Sequence, residues 1–503
     1  MASSTPVADA SATTHDPRRK LGVISIALMI IAASAPLTAV GGGFTTSFAV
    51  SGNLGVPLSF FILVAVFIIF AFGYAAMSRF IDNAGAFYAY VAQGLNRSLG
   101  IGASMVALVA YNLMQIGINA IFGFSVADLF ASVFGWETPW WVWSMFGIAI
   151  VGLLGVNRID LSAKVLGIVV ALEFLVVLVF DIVAIIAQPE GVSARGLLPA
   201  DLFGPGVGVA FSFGVAAFMG FESAAIYSRE AKDPKRTIGR ATMLAIAVGG
   251  IFYGLSAWAM TVAVGPSQVV EVAATQGPGL VFGVLAEHAG TIFADIANVM
   301  FVTSIFAALL SFHNAVARYF STLGREGVLP GWLGAQRALH GAPWAGSVTQ
   351  SVLGIVVLFV FILAESAMTA GWPAEITPLY PVLTMFTWLT SSGAAGLTFL
   401  MAIVAVAVIG YFWRNHRGVG VWSRLIAPAI AAVALIVLFV LMLMYFNLLL
   451  GQVDENGETF STWLTWFFPT LLILPLFLGL LWAQRMRLRT PERFAQVGHG
   501  SHD

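Results

Sequence analysis

The chain has 503 residues and a formal net charge of −1, with 59% of residues hydrophobic and only 9% charged. Soluble domains carry roughly 25% charged residues, so this composition excludes an ordinary soluble protein and indicates a polytopic membrane protein. Cysteine is absent, which excludes disulfides, thiolate metal sites and cysteine nucleophiles.

Residues 1–20 are polar and small, and are expected to form a disordered cytoplasmic tail that needs no cleavable signal. Apolar runs of about 20 residues then predict twelve spans. They lie near 22–48, 56–78, 98–130, 138–156, 161–187, 205–227, 240–263, 289–320, 346–367, 384–410, 425–449 and 463–483, and are called spans 1 to 12 in that order. The 40 Phe, 14 Trp and 52 Gly suit such a bundle, because small residues let helices approach closely and aromatic residues collect at the interfaces. A short basic tail, 485–503, closes the chain with Arg485, Arg487, Arg489 and Arg493.

Twelve spans put most of the basic residues on one side. Arg18, Arg19 and Lys20 precede span 1, and the same side receives Arg79, Arg97, Arg158, the Arg229–Arg240 cluster, Arg325, Arg337, Arg414, Arg417 and Arg424. The opposite side holds Arg195 with Asp454, Glu455 and Glu458. The positive-inside rule then places both termini in the cytoplasm. The basic cluster reads as a topology anchor beside anionic lipid and calls for no nucleic-acid partner.

Two spans carry internal breaks. Span 1 contains Pro36 and then Gly41-Gly42-Gly43, while span 6 contains Gly214 and then Phe218-Met219-Gly220-Phe221-Glu222. A lipid-facing helix gains nothing from a central glycine or a buried glutamate, whereas unwound backbone facing protein or a water-filled cavity can use both. Interrupted helices expose N–H groups at one half-helix and carbonyls at the other, which suits the carboxylate and ammonium of an amino acid. The alternative is that these glycines only permit close packing or a kink. Breaks five spans apart are the pattern of transporters built from inverted five-helix repeats.

The motifs Phe218-Met-Gly-Phe-Glu222 with Glu230-Ala-Lys-Asp-Pro-Lys-Arg-Thr-Ile238, and Asn314-Ala-Val-Ala-Arg318 with Leu323-Gly-Arg-Glu-Gly-Val-Leu-Pro330, resemble the amino acid–polyamine–organocation superfamily, in its bacterial amino acid permease branch. The similarity runs from about residue 20 to 480. It implies a ten-helix core over 21–410 in two inverted repeats of five, with discontinuous helices 1 and 6, and helices 11 and 12 over 411–484 outside it. It also implies alternating access in a bacterial cytoplasmic membrane. Family substrate contacts fall on Gly41, Gly42 and Gly43, on Ala217, Phe218 and Gly220, and on Phe312. Many relatives carry a hydroxyl between two glycines in span 1, where Gly42 stands here. A bulky gate residue of some relatives is replaced by Ala216, leaving Phe218 or Phe221 as candidates for that role.

Ionisable groups within spans cost about 2.5–3.5 kcal/mol each at a helix centre on insertion scales unless sheltered. Glu173 lies mid-span 5, at a position resembling the one where proton-coupled relatives place a lysine against spans 1 and 8 in place of sodium. Among apolar residues it could gain and lose a proton during transport, or simply remain neutral and bond a neighbouring helix. Glu222 is expected to support the broken span 6 by accepting its free N–H groups. Asp181 and Asp128, near the outer span ends, are explained by interfacial solvation, and Lys164 by snorkelling. Asn112 and Gln115 are pocket-lining candidates, and His313 is either a path residue or a packing residue. Spans 1 and 3 offer no central counter-charge for a cation, which favours neutral amino acids.

The resulting expectation is a proton-driven permease for neutral amino acids, with no cofactor. Sodium coupling, exchange, and an amine or polyamine substrate are the rivals. A channel lacks a repeated pore loop, and an enzyme lacks any recognisable catalytic motif.

Overall fold

The computed structural model describes residues 21–81, 87–157, 163–222, 231–337, 341–454 and 456–498. Arg18, Arg19, Lys20, Arg158, Arg229, Glu230 and Glu455 lie outside these, as do both chain termini and the side chains of Lys164, Lys235 and Arg414. The described chain is helical apart from two isolated bridges, Leu21 with Ala231 and Val453 with Thr459.

Among the described residues, eleven helices are long and apolar enough to cross a membrane, and a bent pair could raise the number to twelve. They match the hydropathy reading for every span except the sixth. Span 6 is represented by a shorter apolar helix, Val207–Phe218, that stops at Met219-Gly220. Its neighbours show where it leads. Gly206 abuts Ser51 at the end of span 1. Ala231, beyond the break, pairs with Leu21 at the start of span 1, and Lys232 N–H donates to the Leu21 carbonyl at 3.0 Å. Residues 206 and 231 therefore stand at opposite ends of the molecule.

That first end is fixed by other contacts. Gly55 N–H donates to the Asp201 carbonyl at 3.1 Å, Asn53 donates through Nδ2 to the Leu202 carbonyl at 2.9 Å, and Ser267 bonds Glu190. Loops after spans 1, 5 and 7 are thus tied together there. The opposite end joins Tyr88 to Glu326 at 3.0 Å, Arg337 to Asn157 at 2.8 Å and Gln93 to the Gly498 carbonyl at 3.0 Å. Between spans 7 and 8, outside every span read from hydropathy, helices Val269–Gln276 and Gly279–Ala289 meet at 108°. Span 8 begins where span 7 ends, so this pair caps the first end, its helices lying against the Thr45–Ser51 part of span 1 and along span 8.

Spans 3 and 10 pack along each other at the centre, and span 3 also carries spans 8 and 12. Small residues permit the closest crossings, because helices in lipid associate through packing and not through a hydrophobic difference. A Cβ on Gly479 of span 12 would lie 2.6 Å from the Gly102 Cα of span 3, and one on Gly208 would lie 2.1 Å from the Leu441 carbonyl oxygen. Both neighbours are backbone and cannot rotate away. Gly479→Val should therefore force spans 3 and 12 apart and lower stability by about 1–3 kcal/mol, as overpacking does elsewhere. Thermal unfolding in detergent checks this, and an unchanged melting temperature would show that the two helices do not make this contact.

Candidate functional site

Span 1 breaks at Ser34-Ala35, one position before Pro36. The helix Val23–Ala33 ends there, Ala35 turns left-handed at φ 47°, and helix resumes from Pro36. Proline explains the location: it disfavours helical geometry at the preceding residue, has no N–H, and starts the next helix well. The resumed helix widens into a π-turn over Ala39–Phe44 before continuing through Thr45–Ser51. Ser34 donates its hydroxyl proton to the Ile31 carbonyl at 2.7 Å, so Tyr253 of span 7, 2.8 Å away, is the donor to Ser34.

The new helix start would leave N–H groups unsatisfied, and side chains from two other spans accept them. Leu37 N–H donates to Glu173 Oε2 at 3.2 Å, and Thr38 N–H donates to Ser304 Oγ of span 8 at 3.2 Å. Ser304 in turn donates to the same Glu173 oxygen at 2.8 Å and accepts from Thr38 Oγ1 at 2.9 Å. Glu173 is 2% exposed. A carboxylate at the positive end of a half-helix, with two donors, is a sheltered charge.

Span 6 repeats the arrangement with different residues. Met219 is extended and Gly220 takes φ 114°, a conformation that favours glycine. Gly220 N–H donates to Glu222 Oε2 at 2.9 Å, while Tyr111 of span 3 donates to Oε1 at 2.7 Å. Tyr74 of span 2 donates to the Glu222 backbone carbonyl at 3.2 Å. Each break is thus held by one buried glutamate together with hydroxyls from neighbouring spans.

Between the breaks lies a cavity of about 50 Å³. Span 1 lines it with Ser34, Ala35, Thr38, Ala39 and Gly43, span 6 with Phe213, Ala216, Ala217 and Met219, and spans 3, 8 and 10 with Met114, Ile118, Ala308, Phe312, Phe386 and Thr390. No charged side chain is among them. A smaller cavity of about 20 Å³ lies on the other side of Ser34 and Ala217, against Phe218, Phe221 and Tyr253. Among the described residues, no group of three or more His, Asp or Glu could hold a metal ion.

The amino acid permease family profile matches residues 21–474. The chain belongs to that family. It is a polytopic membrane transporter of small solutes. The permease is 26% identical over 337 residues to the branched-chain amino acid permease BcaP of Lactococcus lactis, covering 63% of this chain and 71% of that protein. It is 22% identical over 321 residues to the low-affinity putrescine importer PlaP of Escherichia coli, covering 62% of this chain and 68% of that protein.

The permease places the sequence-derived candidates unevenly. Gly43, Ala217 and Phe312 line the cavity. Gly41 and Gly42 do not: a Cβ on Gly41 would lie 2.9 Å from Phe301, and one on Gly42 2.5 Å from Ile121, so both serve close packing. The triple glycine is part of a π-turn, and the break lies seven residues earlier, directly before Pro36. A hydroxyl does stand at the break, Ser34, with its proton committed to the Ile31 carbonyl. Phe218 and Phe221 are committed to an aromatic cluster with Phe60, Phe67, Phe70 and Tyr253, and it is Phe213 and Phe386 that face the main cavity. Gly220 turns its N–H to Glu222.

Asn112 and Gln115 point away from the cavity, which receives Met114 and Ile118 of the same helix. Asn112 donates to the Leu108 carbonyl at 2.6 Å, and Gln115 accepts from Gln350 of span 9 at 2.5 Å. His313 is fully buried with Nε2 2.8 Å from Ser347 Oγ, a packing position. Asp181 is less solvated than its place near a span end suggested: Ser256 donates to Oδ2 at 2.9 Å, and Oδ1 is buried without a hydrogen-bond partner.

Adjacent glycines provide a test. Gly42→Val drives methyl groups into Ile121 and should lower stability by about 1–3 kcal/mol. Gly43→Ala meets nothing within 4 Å, so its melting temperature should hold while its methyl reduces cavity space and weakens substrate binding several-fold. Equal behaviour of the two variants in thermal unfolding and binding would contradict the assignment of Gly43 to the cavity wall.

Proposed function

We propose that this permease imports neutral amino acids by proton-coupled alternating access across a bacterial cytoplasmic membrane. The reading takes twelve crossings with both termini cytoplasmic: a core over 21–410 of two inverted five-span repeats, spans 11 and 12 over 411–484 outside it, and tails over 1–20 and 485–503. The positions of Gly206 and Ala231 at opposite ends support the count. Glu190 and Ser267 at the outer end, and Arg79, Arg236 and Arg240 at the other, agree with the positive-inside rule.

The substrate would sit between the breaks, against Ser34, Thr38, Gly43, Ala217 and Phe312. The lining is apolar and carries no acid to pair with a second ammonium group, which favours a neutral amino acid over a diamine. BcaP is a named branched-chain amino acid permease, and PlaP, a putrescine importer, keeps the amine reading as the second one. Proton coupling is favoured over sodium coupling and exchange by the position of Glu173.

The observation that carries the proposal is the hydrogen bond from Leu37 N–H to Glu173. An ionised Glu173 supplies the negative charge that the start of the Pro36–Ser51 half-helix attracts. A substrate carboxylate entering beside Ser34 and Thr38 meets that same helix end. Protonation of Glu173 removes the competing charge, so proton and substrate bind together and leave together. The sign follows: substrate affinity rises as pH falls, because the protonated form is the binding-competent one. Glu222, held by Gly220 and Tyr111, keeps span 6 broken in either state.

Glu173→Gln should abolish accumulation of leucine driven by an imposed pH gradient in proteoliposomes. It should retain leucine binding that no longer varies with pH. Uptake driven by the pH gradient that survives the substitution would remove Glu173 from coupling. Putrescine displacing labelled leucine as well as unlabelled leucine does would overturn the neutral-substrate reading, and collapse of uptake on replacing sodium at fixed pH would overturn proton coupling.

A further inference from the structure

A second, larger cavity, separate from the one between the breaks, lies where spans 2, 7 and 11 meet. It encloses about 590 Å³ and is lined by Arg79, Arg236, Arg240, Ser423, Phe72 and Met243. Arg79 directly follows span 2, which ends at Ser78. Arg236 and Arg240 occupy the first turns of the span 7 helix Pro234–Val264, and Ser423 the first turn of span 11. All the cations are therefore at the level where helices leave the apolar layer.

Their charges are poorly compensated. Arg236 Nε is 3.9 Å from Asp233 Oδ2 with both side chains more than half exposed, a pairing worth little. Among the described residues, Arg79 and Arg240 have no ion-pair partner. Arg424, beside Ser423, buries Nη1 with no hydrogen-bond partner. A concave site with three guanidinium groups and a hydroxyl fits a phosphate, which arginine forks bind with two parallel hydrogen bonds.

The surroundings distinguish a lipid from a soluble anion. Val421, Trp422, Leu425 and Ile426 at the start of span 11 are 48%, 45%, 38% and 42% exposed, an apolar face continuing directly from the cavity rim. Trp422 packs edge-on against Phe72 in the cavity wall, with ring centroids 6.0 Å apart. A tryptophan at this depth belongs at a membrane interface. A free anion would use the arginines alone. A phospholipid uses the arginines for its headgroup and the apolar face for its chains.

We propose that this cavity is a binding site for the headgroup of an anionic phospholipid. The inference rests on the chain spanning a membrane and is independent of the transported substrate. The full-length protein, purified in detergent, would be given phosphatidylglycerol, phosphatidylcholine of the same chains, or inorganic phosphate, with bound lipid counted by native mass spectrometry and melting temperature recorded. Phosphatidylglycerol should remain bound and raise the melting temperature by several degrees, while the other two have no such effect.

The variant carrying Arg79→Gln, Arg236→Gln and Arg240→Gln should retain phosphatidylglycerol at least fivefold less. Arg240→Gln alone gives an intermediate loss should the triple variant fold poorly. A control carrying Arg485→Gln, Arg487→Gln and Arg489→Gln should retain it fully. Wild-type retention by the cavity variants, or equal retention of phosphatidylcholine, would overturn the proposal. An equal rise in melting temperature with inorganic phosphate would make this a soluble-anion site instead.

Discussion

Backbone N–H and carbonyl groups in hydrocarbon must find partners inside the protein, and much of this site's construction answers that constraint. A helix that stops at Ser34 and restarts at Pro36 exposes new donors at the restart. Glu173 and Ser304 take those from Leu37 and Thr38. A helix that stops at Met219 presents the Gly220 N–H, which Glu222 takes with help from Tyr111. The same groups that keep the breaks stable also place polarity and partial charge beside an otherwise apolar cavity. Stability and binding potential therefore come from one set of contacts.

That economy explains why the two glutamates differ in what they can do. Glu222 is bonded to its own segment and to span 3, so it closes a local loop at the break. Glu173 reaches across from span 5 to span 1 and shares Ser304 of span 8, joining three helices at one oxygen. A change in charge at Glu173 is felt by all three, whereas at Glu222 it is felt by its own turn and by Tyr111 of span 3. The coupling proposed for Glu173 draws on that reach between helices. Glu222 is suited to keep its turn in one shape. Tyr253 extends the Glu173 side of the site toward span 7 through Ser34.

Hydropathy alone located eleven of the spans within a few residues, because uninterrupted apolar runs of this length have few other uses. The sixth span was read from its apolar run as well, and the break in it was legible from Gly220 and Glu222, residues that a lipid-facing helix would not carry. The break in span 1 was harder. Three consecutive glycines suggest flexibility more strongly than Ser34-Ala35-Pro36, yet the glycines remain helical because Phe301 and Ile121 fill the space against two of them. Orientation around a helix was the other blind spot. Asn112 and Gln115 are polar in an apolar helix, but only the positions of spans 4, 8 and 9 show that this face meets a buried polar seam with Gln350 and not the cavity. The capping pair Val269–Gln276 and Gly279–Ala289 escaped because its helices are too short to register as spans.

In the proposed mode a neutral amino acid binds where the two broken helices face each other, with its carboxylate drawn to the start of the Pro36–Ser51 half-helix. An experimental structure determined with leucine at acidic pH tests this most directly. The account predicts density in the cavity between Ser34, Thr38, Ala217 and Phe312, with the carboxylate toward span 1 and Glu173 adjoining it. Leucine density at any other place, with this cavity empty, would contradict it.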